Sequence, residues 1–402
     1  MIKGTLQELC LNITDGKHGD CENEENSGYY FISCKDIFDG QINYKNARQI
    51  TKADFEETHK RTMLEVDDIL LTNSGTIGRM AFVTDREATT KTTFQKSVAI
   101  IKPDKQKVLP RYLYYQLQNC VPQFINSSNG SAQKNLLLST MRTFQIEIEE
   151  NREKQEKIAN TLSAYDDLIE NNQKQIKLLE EATQRLYKEW FVDLRFPGHE
   201  NTKIVDGVPE GWNWCKLEDT IQFDPKVTLT KERMKQFIPM SALSTSSMVL
   251  DESQFTETTS NSGSKFQNGD TLLARITPCL ENGKTAYVSG LKSDEGAVGS
   301  TEYIVMRAKT INSYMVYLLA RTDDFRQSAI NSMSGSDGRQ RVKSDKLKML
   351  DYLHPTSELV EKFENVEEPI FEKIYRLSKQ MQQAKQARDL LLPKLMSGEV
   401  EV

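Results

Sequence analysis

Two long stretches of this chain repeat their seam positions every three or four residues, and no other feature restricts its possible folds as tightly. Between Ile158 and Trp190 the steps run 4, 3, 4, 3 without a break, through Ile158, Leu162, Tyr165, Ile169, Asn172, Ile176, Leu179, Thr183, Leu186 and Trp190. A second seam closes the chain through Leu359, Phe363, Val366, Ile370, Ile374, Leu377, Met381, Ala384, Arg388, Leu391 and Leu395, with one doubled four-residue step at Ile370–Ile374. A 3.5-residue repeat marks a helix that buries a narrow stripe against another helix. Each seam follows a mixed region of roughly 150 residues, so the chain reads as a duplication: module, helix, module, helix.

Aligning the halves supports that reading at an offset of 202 to 206 residues. Val66-Asp67-Asp68-Ile69-Leu70-Leu71 answers Asn268-Gly269-Asp270-Thr271-Leu272-Leu273, and Gly78-Arg79-Met80-Ala81-Phe82-Val83 answers Gly283-Lys284-Thr285-Ala286-Tyr287-Val288. An alternating strand follows in each half, then an amphipathic helix from about Arg111 or Ser313. A Gly-Ser loop comes next, Asn129-Gly130-Ser131 against Ser334-Gly335-Ser336. Order and spacing persist while side chains diverge, as expected of one module reused with different contact surfaces. Period-2 segments mixed with one or two helices predict an α/β (α+β) module. Two helices that pack on each other with this connectivity must run antiparallel, giving two duplicated domains on a pseudo-twofold spacer. The expected boundaries are 1–148, a spacer helix over 149–195, a linker and second domain over 196–356, and a closing helix over 357–402. Residues Ile158 to Trp190 span about 48 Å as a helix, against about 34–36 Å for one DNA turn.

Composition removes several classes. No apolar run approaches the ~18 residues of a membrane span, and the N-terminus lacks the apolar core of a signal peptide. The six cysteines include no CxxC pair, which suggests reduced thiols in the cytoplasm. Four isolated histidines offer no metal cluster. No GxGxxG and no phosphate-loop motif is present. Asp67-Asp68 and Asp323-Asp324 read as surface carboxylates, and Cys279 beside Pro278 as a small buried hydrophobe without a base. No catalytic residue and no metal ligand is expected. The net charge is −6, and residues 1–150 alone carry 18 basic and 20 acidic groups. A broad electrostatic footprint on nucleic acid is therefore excluded, and any DNA contact has to come from local loops or from a partner.

Several stretches together resemble the specificity subunits of Type I restriction–modification enzymes over essentially the whole length. Asp68-Ile69-Leu70-Leu71-Thr72 with Gly75-Thr76-Ile77-Gly78-Arg79 is similar to the signature of their target-recognition domains, and Ala274 to Lys284 is similar to a variant of it. Glu156 to Ser163, Trp190-Phe191-Val192-Asp193 with Phe196-Pro197-Gly198, and Leu392 to Glu399 resemble their spacer regions. A proline that commonly precedes the first spacer helix is replaced by Ile148-Glu149-Glu150-Asn151, where Asn151 can cap a helix instead. The resemblance implies a non-catalytic subunit that reads a split double-stranded DNA target, one half per domain. It also implies docking of two methyltransferase subunits and association with restriction motor-nuclease subunits. S-adenosylmethionine, ATP and magnesium would then reside in those partners only. A coiled-coil protein-interaction adaptor without DNA contact is the alternative.

Base reading calls for Arg, Lys, Asn or Gln on loops that enter a groove. In the first module the candidates are Arg79, Lys91, Gln95 and Lys96, with Lys134 and Asn135 after the Gly-Ser loop. Thr89 to Thr93 suits a loop lying along a backbone. In the second they are Arg275, Asn282, Lys284 and the basic run Arg339, Gln340, Arg341 and Lys343, diluted by Asp337 and Asp345. Most lysines and arginines are simply solvated, a role open to each of these.

Overall fold

The computed structural model describes residues 1–128, 134–336 and 338–401. The Asn129-Gly130-Ser131 loop and Asp337 lie outside the described residues. The chain divides into two compact units: unit 1 takes residues 1–167 and 384–402, and unit 2 takes residues 168–383.

Unit 1 is built on strands β1 (Ile2–Thr5), β2 (Cys10–Asp15), β3 (Ile69–Thr72), β4 (Met80–Phe82) and β5 (Val98–Pro103), helix α1 (Pro110–Asn119), strand β6 (Gln145–Ile148) and the first part of helix α2 (Arg152–Tyr187). The central sheet has the order β2-β5-β3-β4 and is antiparallel throughout. Its apolar residues alternate between two cores. Ile69, Leu71, Ala99 and Ile101 pack with α1, while Leu70, Ala81, Val98 and Ile100 pack with Ile32, Ile37 and Phe94. Successive side chains on a strand point to opposite faces, so an unbroken run such as Ile69-Leu70-Leu71 is what a sheet covered on both faces requires. Pro110 opens α1, where its missing N–H costs nothing.

Unit 2 repeats this plan. Strands β7 (Asn213–Lys216), β8 (Ile221–Phe223), β9 (Thr271–Ala274), β10 (Thr285–Tyr287) and β11 (Tyr303–Ala308) are followed by helix α3 (Ser313–Arg321), strand β12 (Asp351–His354) and helix α4 (Ser357–Ser397). The sheet order β8-β11-β9-β10 matches that of unit 1, and β7 pairs with β12 as β1 pairs with β6. The face-by-face division recurs: Leu273, Ile304 and Met306 join one core, and Leu272, Ala286, Tyr303 and Val305 the other. Asn312 caps α3 through its Oδ1, which accepts from the Met315 N–H at 2.8 Å.

Asn151 caps α2, its Oδ1 accepting from the N–H of Glu153 at 2.9 Å, so the helix starts without a preceding proline. In unit 1, Ile158, Ala159 and Leu162 share a core with Leu395 and Met396 of α4. There Asp166 accepts from Arg388 Nη1 at 2.7 Å and from the Tyr115 hydroxyl at 2.6 Å. In unit 2, Asn172 Nδ2 donates to Gln380 Oε1 at 3.2 Å. Farther along, Tyr187 and Trp190 meet Phe363 with ring centroids 6.1 and 5.4 Å apart. Rising positions on α2 meet falling positions on α4 within each unit, so the helices pair antiparallel. Ile169, Ile176 and Leu377 are buried. Leu179, Leu186, Ile370 and Leu391 are partly buried against the cores, and Tyr165 and Met381 are half-buried.

The second seam departs from expectation at one turn. Val366 is 40% exposed, and its neighbour Glu367 is fully buried instead. Buried positions here run Phe363, Glu367, Phe371, Ile374, Leu377, so two four-residue steps replace the 3.5-residue rhythm and rotate the buried stripe by one residue. Pro369, which has no N–H to donate, lies inside this stretch.

Neither carboxylate oxygen of Glu367 has a hydrogen-bond partner among the described residues. Burial pushes its pKa from the usual 4.5 up to about 8. The folded chain therefore holds this proton to higher pH than the unfolded chain does, and unfolding free energy falls as pH rises between those two values. Glu367→Leu is expected to stabilise unit 2 by about 2 kcal/mol at pH 8 and to flatten the decline between pH 5 and 8, read by thermal and denaturant unfolding. A destabilised variant with an unaltered pH slope would contradict the assignment.

Candidate nucleic-acid interface

In each unit the sheet sends its loops out at one end. For unit 1 this end comprises the close of β2 and β3 and the start of β4 and β5. Buried Thr72 closes the loop between β3 and β4. Its N–H donates to the Arg79 carbonyl at 2.8 Å, its Oγ1 accepts from the Arg79 N–H at 2.9 Å and donates to the Thr76 carbonyl at 2.5 Å. Gly78 holds φ +92°, and a Cβ there would lie 2.6 Å from Val121 Cγ1, so this turn needs glycine.

A later segment is stitched onto that loop. Ser74 and Asn135 form an antiparallel bridge, and the Leu136 N–H donates to the Asn73 carbonyl at 2.8 Å. The Asn73 N–H donates to the Ser97 carbonyl at 3.1 Å, and Ser97 Oγ accepts from the Cys34 N–H at 3.1 Å. Arg79, Gln95, Lys96, Lys134 and Asn135 thus reach one end of one sheet. All are exposed except half-buried Gln95.

Lys91 does not join them. It sits at the other end of the short strand Thr92–Phe94 from Gln95. Thr89, Thr92 and Thr93 are buried, and that strand pairs with Tyr30–Ile32. The Thr89–Thr93 run is therefore a short 3-10 turn over Thr89–Lys91 that leads into a buried strand, and not a loop free to follow a backbone.

Unit 2 reproduces the same backbone bonds with different side chains. The Ala274 N–H donates to the Lys284 carbonyl at 3.0 Å, as Thr72 does to Arg79. Ile276 bridges Arg341, and the Val342 N–H donates to the Arg275 carbonyl at 2.9 Å, as Leu136 does to Asn73. The Arg275 N–H donates to the Glu302 carbonyl at 3.0 Å, as Asn73 does to Ser97. These bonds align Asn73 with Arg275, Arg79 with Lys284, Ser97 with Glu302 and Asn135 with Arg341. The frame is held by main-chain groups, so the side chains it displays are free to differ.

What those side chains do varies. Lys284 Nζ donates to the Met240 carbonyl at 2.9 Å and so braces its own loop. Asn282, Arg339 and Lys343 are exposed, Gln340 and Arg275 half-buried. Arg341 lays Nε and Nη2 along the Glu302 carboxylate at 2.7 to 3.0 Å. The guanidinium holds the Glu302 carboxyl below its usual range, and the carboxylate in turn raises Arg341.

Two further pairs underpin the sheet ends opposite the loops. Asp68 is buried and accepts from Lys102 Nζ at 2.7 Å, and burial pushes its pKa up to about 6. Asp270 is buried and accepts from Arg307 Nε and Nη2 at 2.6 and 2.7 Å. Both also cap the preceding turn, accepting from Glu65 and Gln267 N–H at 2.8 Å. The expectation that Asp67-Asp68 is a surface pair thus fails at Asp68, whereas Asp323 and Asp324 are exposed. Cys279 is half-buried. Sequence reasoning passed over Asn73, Ser97 and Glu302. The repeat offset held the signal, since each aligns with a residue of the other half.

Among the described residues no group of His, Cys, Asp and Glu side chains is arranged to hold a metal ion, and no helix is long and apolar enough to cross a membrane. Residues 5–181 match the Type I restriction modification DNA specificity domain. Over 92% of this chain and 87% of its relative, the sequence is 27% identical to the MjaIX Type I restriction enzyme specificity subunit of Methanocaldococcus jannaschii. These matches make the chain similar to Type I restriction–modification specificity subunits over most of its length. A shorter match, 35% identical over 34% of this chain and 24% of the relative, links it to the EcoAI specificity subunit of Escherichia coli. The fold agrees with the crystal structure of a Type I system S subunit from M. genitalium, at a TM-score of 0.60 and 16% identity over 98% of this chain and 96% of that one. This similarity to specificity subunits favours the DNA-reading account over the adaptor alternative.

Because Asp270 and Arg307 tie the end of the sheet opposite the loops, removing the carboxylate strands a mostly buried guanidinium. Asp270→Ala should cost unit 2 about 3 kcal/mol in denaturant unfolding, and Arg307→Met in that background should recover part of it. A neutral Asp270→Ala would show that the pair carries no such load.

Proposed function

We propose that each unit reads one half of a bipartite double-stranded DNA target through the loop end of its sheet. One observation carries this reading: the same main-chain hydrogen bonds recur in both units, yet the side chains they display differ in kind. Unit 1 offers Asn135, Gln95, Lys96, Lys134 and Arg79, and unit 2 offers Arg275, Asn282, Arg339, Gln340, Arg341 and Lys343. Amide and guanidinium groups are the donors and acceptors suited to base edges, and lysines suit phosphates. Lys91, remote from the loop end, is at most a phosphate contact, and Lys284 acts by bracing its loop.

On this reading the chain catalyses nothing by itself. The paired helices α2 and α4 dock two methyltransferase subunits, and motor-nuclease subunits join the assembly. S-adenosylmethionine, ATP and magnesium are used in those partners. With a net charge of −6, the chain leaves most phosphate neutralisation to its partners, so its share of the affinity lies in base contacts.

Sequencing modified bases in genomic DNA of the native strain, with and without this chain, tests the proposal. Loss of a split motif, two short defined halves around a fixed undefined gap, is the expected result on deletion. An unchanged modification pattern while the methyltransferase is still expressed would overturn it.

A further inference from the structure

Arg341 is held more firmly than a surface arginine needs to be, and what the hold leaves unused is informative. Its main chain is clamped from both sides. Its N–H donates to the Ser334 carbonyl and its carbonyl accepts from the Ser334 N–H, both at 3.0 Å. On the other flank the neighbouring Gln340 carbonyl accepts from the Thr277 N–H at 3.1 Å, and Val342 donates to Arg275. Gly335, at φ +135°, makes the turn that returns the chain to this clamp.

The side chain is fixed as well. A guanidinium has five N–H donors in a planar fork. Glu302 takes the one on Nε and one of the two on Nη2, and the Arg339 carbonyl takes one on Nη1 at 3.3 Å. Two donors remain, one on each terminal nitrogen, at the end of the fork. The side chain is 41% exposed. Two parallel donors at the end of a rigid, exposed fork match the paired acceptors O6 and N7 that guanine presents in the major groove. Unit 1 lacks this arrangement, because Asn135 and Ser97 occupy the equivalent places.

We propose that Arg341 reads a guanine in the half-site taken by unit 2, with Glu302 as the positioning residue that aims it. This assignment rests on the DNA-reading function proposed above. Glu302 does not touch the base; by binding the side of the guanidinium it keeps the fork's end facing outward and restricts the rotamers that would otherwise be lost on binding.

The test is the modification motif of strains carrying Arg341→Lys, Arg341→Gln, Glu302→Gln or Glu302→Asp, with the intact complex otherwise unchanged. Arg341→Lys keeps charge and stem but cannot form the fork. It should lower the preference for guanine at one position of one half by about tenfold, leaving the other positions and the other half as they were. Arg341→Gln should do the same or redirect that position to adenine. Glu302→Gln should weaken the preference at that same position, and Glu302→Asp should retain part of it. If the lysine and glutamine variants lower modification equally at all sites, with every base preference kept, Arg341 holds phosphate or structure and the assignment is wrong. The same holds if the affected position is an A·T pair. A motif that requires this chain yet ignores all four substitutions overturns the assignment alone. A motif that persists without the chain overturns the DNA-reading function and the assignment with it.

Discussion

A single main-chain contact in each unit governs where the recognition loops stand. Leu136 donates to Asn73 in one unit and Val342 to Arg275 in the other, joining a segment that arrives late in the module to the loop at the end of the central strand. That contact, with the Ser74–Asn135 and Ile276–Arg341 bridges beside it, gives the segments 134–136 and 339–343 a fixed relation to the sheet. With it, residues separated by some sixty positions in sequence are presented side by side. The contact uses backbone groups only, so it constrains side chains hardly at all. Such a frame tolerates divergence where side chains meet a ligand.

The frame is rigid because the sheet beneath it is covered on both faces. Strands β3 and β5 in unit 1, and β9 and β11 in unit 2, alternate their side chains between two cores. A one-residue slip would exchange the two faces and expose neither correctly. The far end of each sheet is tied by a buried carboxylate that pairs with a cation on the neighbouring strand, Asp68 with Lys102 and Asp270 with Arg307. Breaking either pair is costly because it leaves a charge with little water to solvate it. Stretches of both long helices complete each core. Unit 1 uses Ile158, Leu162 and Leu395, and unit 2 uses Ile176, Phe363 and Leu377. The antiparallel pairing is thus part of each unit's own hydrophobic interior.

Much of this was legible in the chain itself. Hydrophobic periodicity reports burial directly, so the helices, the paired strand signatures and the repeat offset all emerged from it. Val366 shows where the method runs out. The seam there is carried by a glutamate, and a buried carboxylate without a partner is too unfavourable to be expected from pattern. The loop expected over Thr89 to Thr93 departs for another reason: a threonine-rich run suits a loop by composition, but β-branched Thr92 and Thr93 also suit a strand. Glu302 could not be proposed as a partner for Arg341, since nothing local in sequence brings position 302 beside 341. The sheet does that, by placing the start of β11 next to the end of β9. Arg341 itself was identifiable as a basic residue in a basic run, but its orientation was not.

The central claim is that the two units read independently through a shared frame. Replacing residues 1–148 with the corresponding segment of a relative that reads a different target tests this most directly, with the modification motif as readout. The account predicts a hybrid motif in which one half changes, and the other half and its preference for guanine remain. A hybrid in which both halves change together would contradict it, because recognition would then belong to the assembled chain and not to each unit.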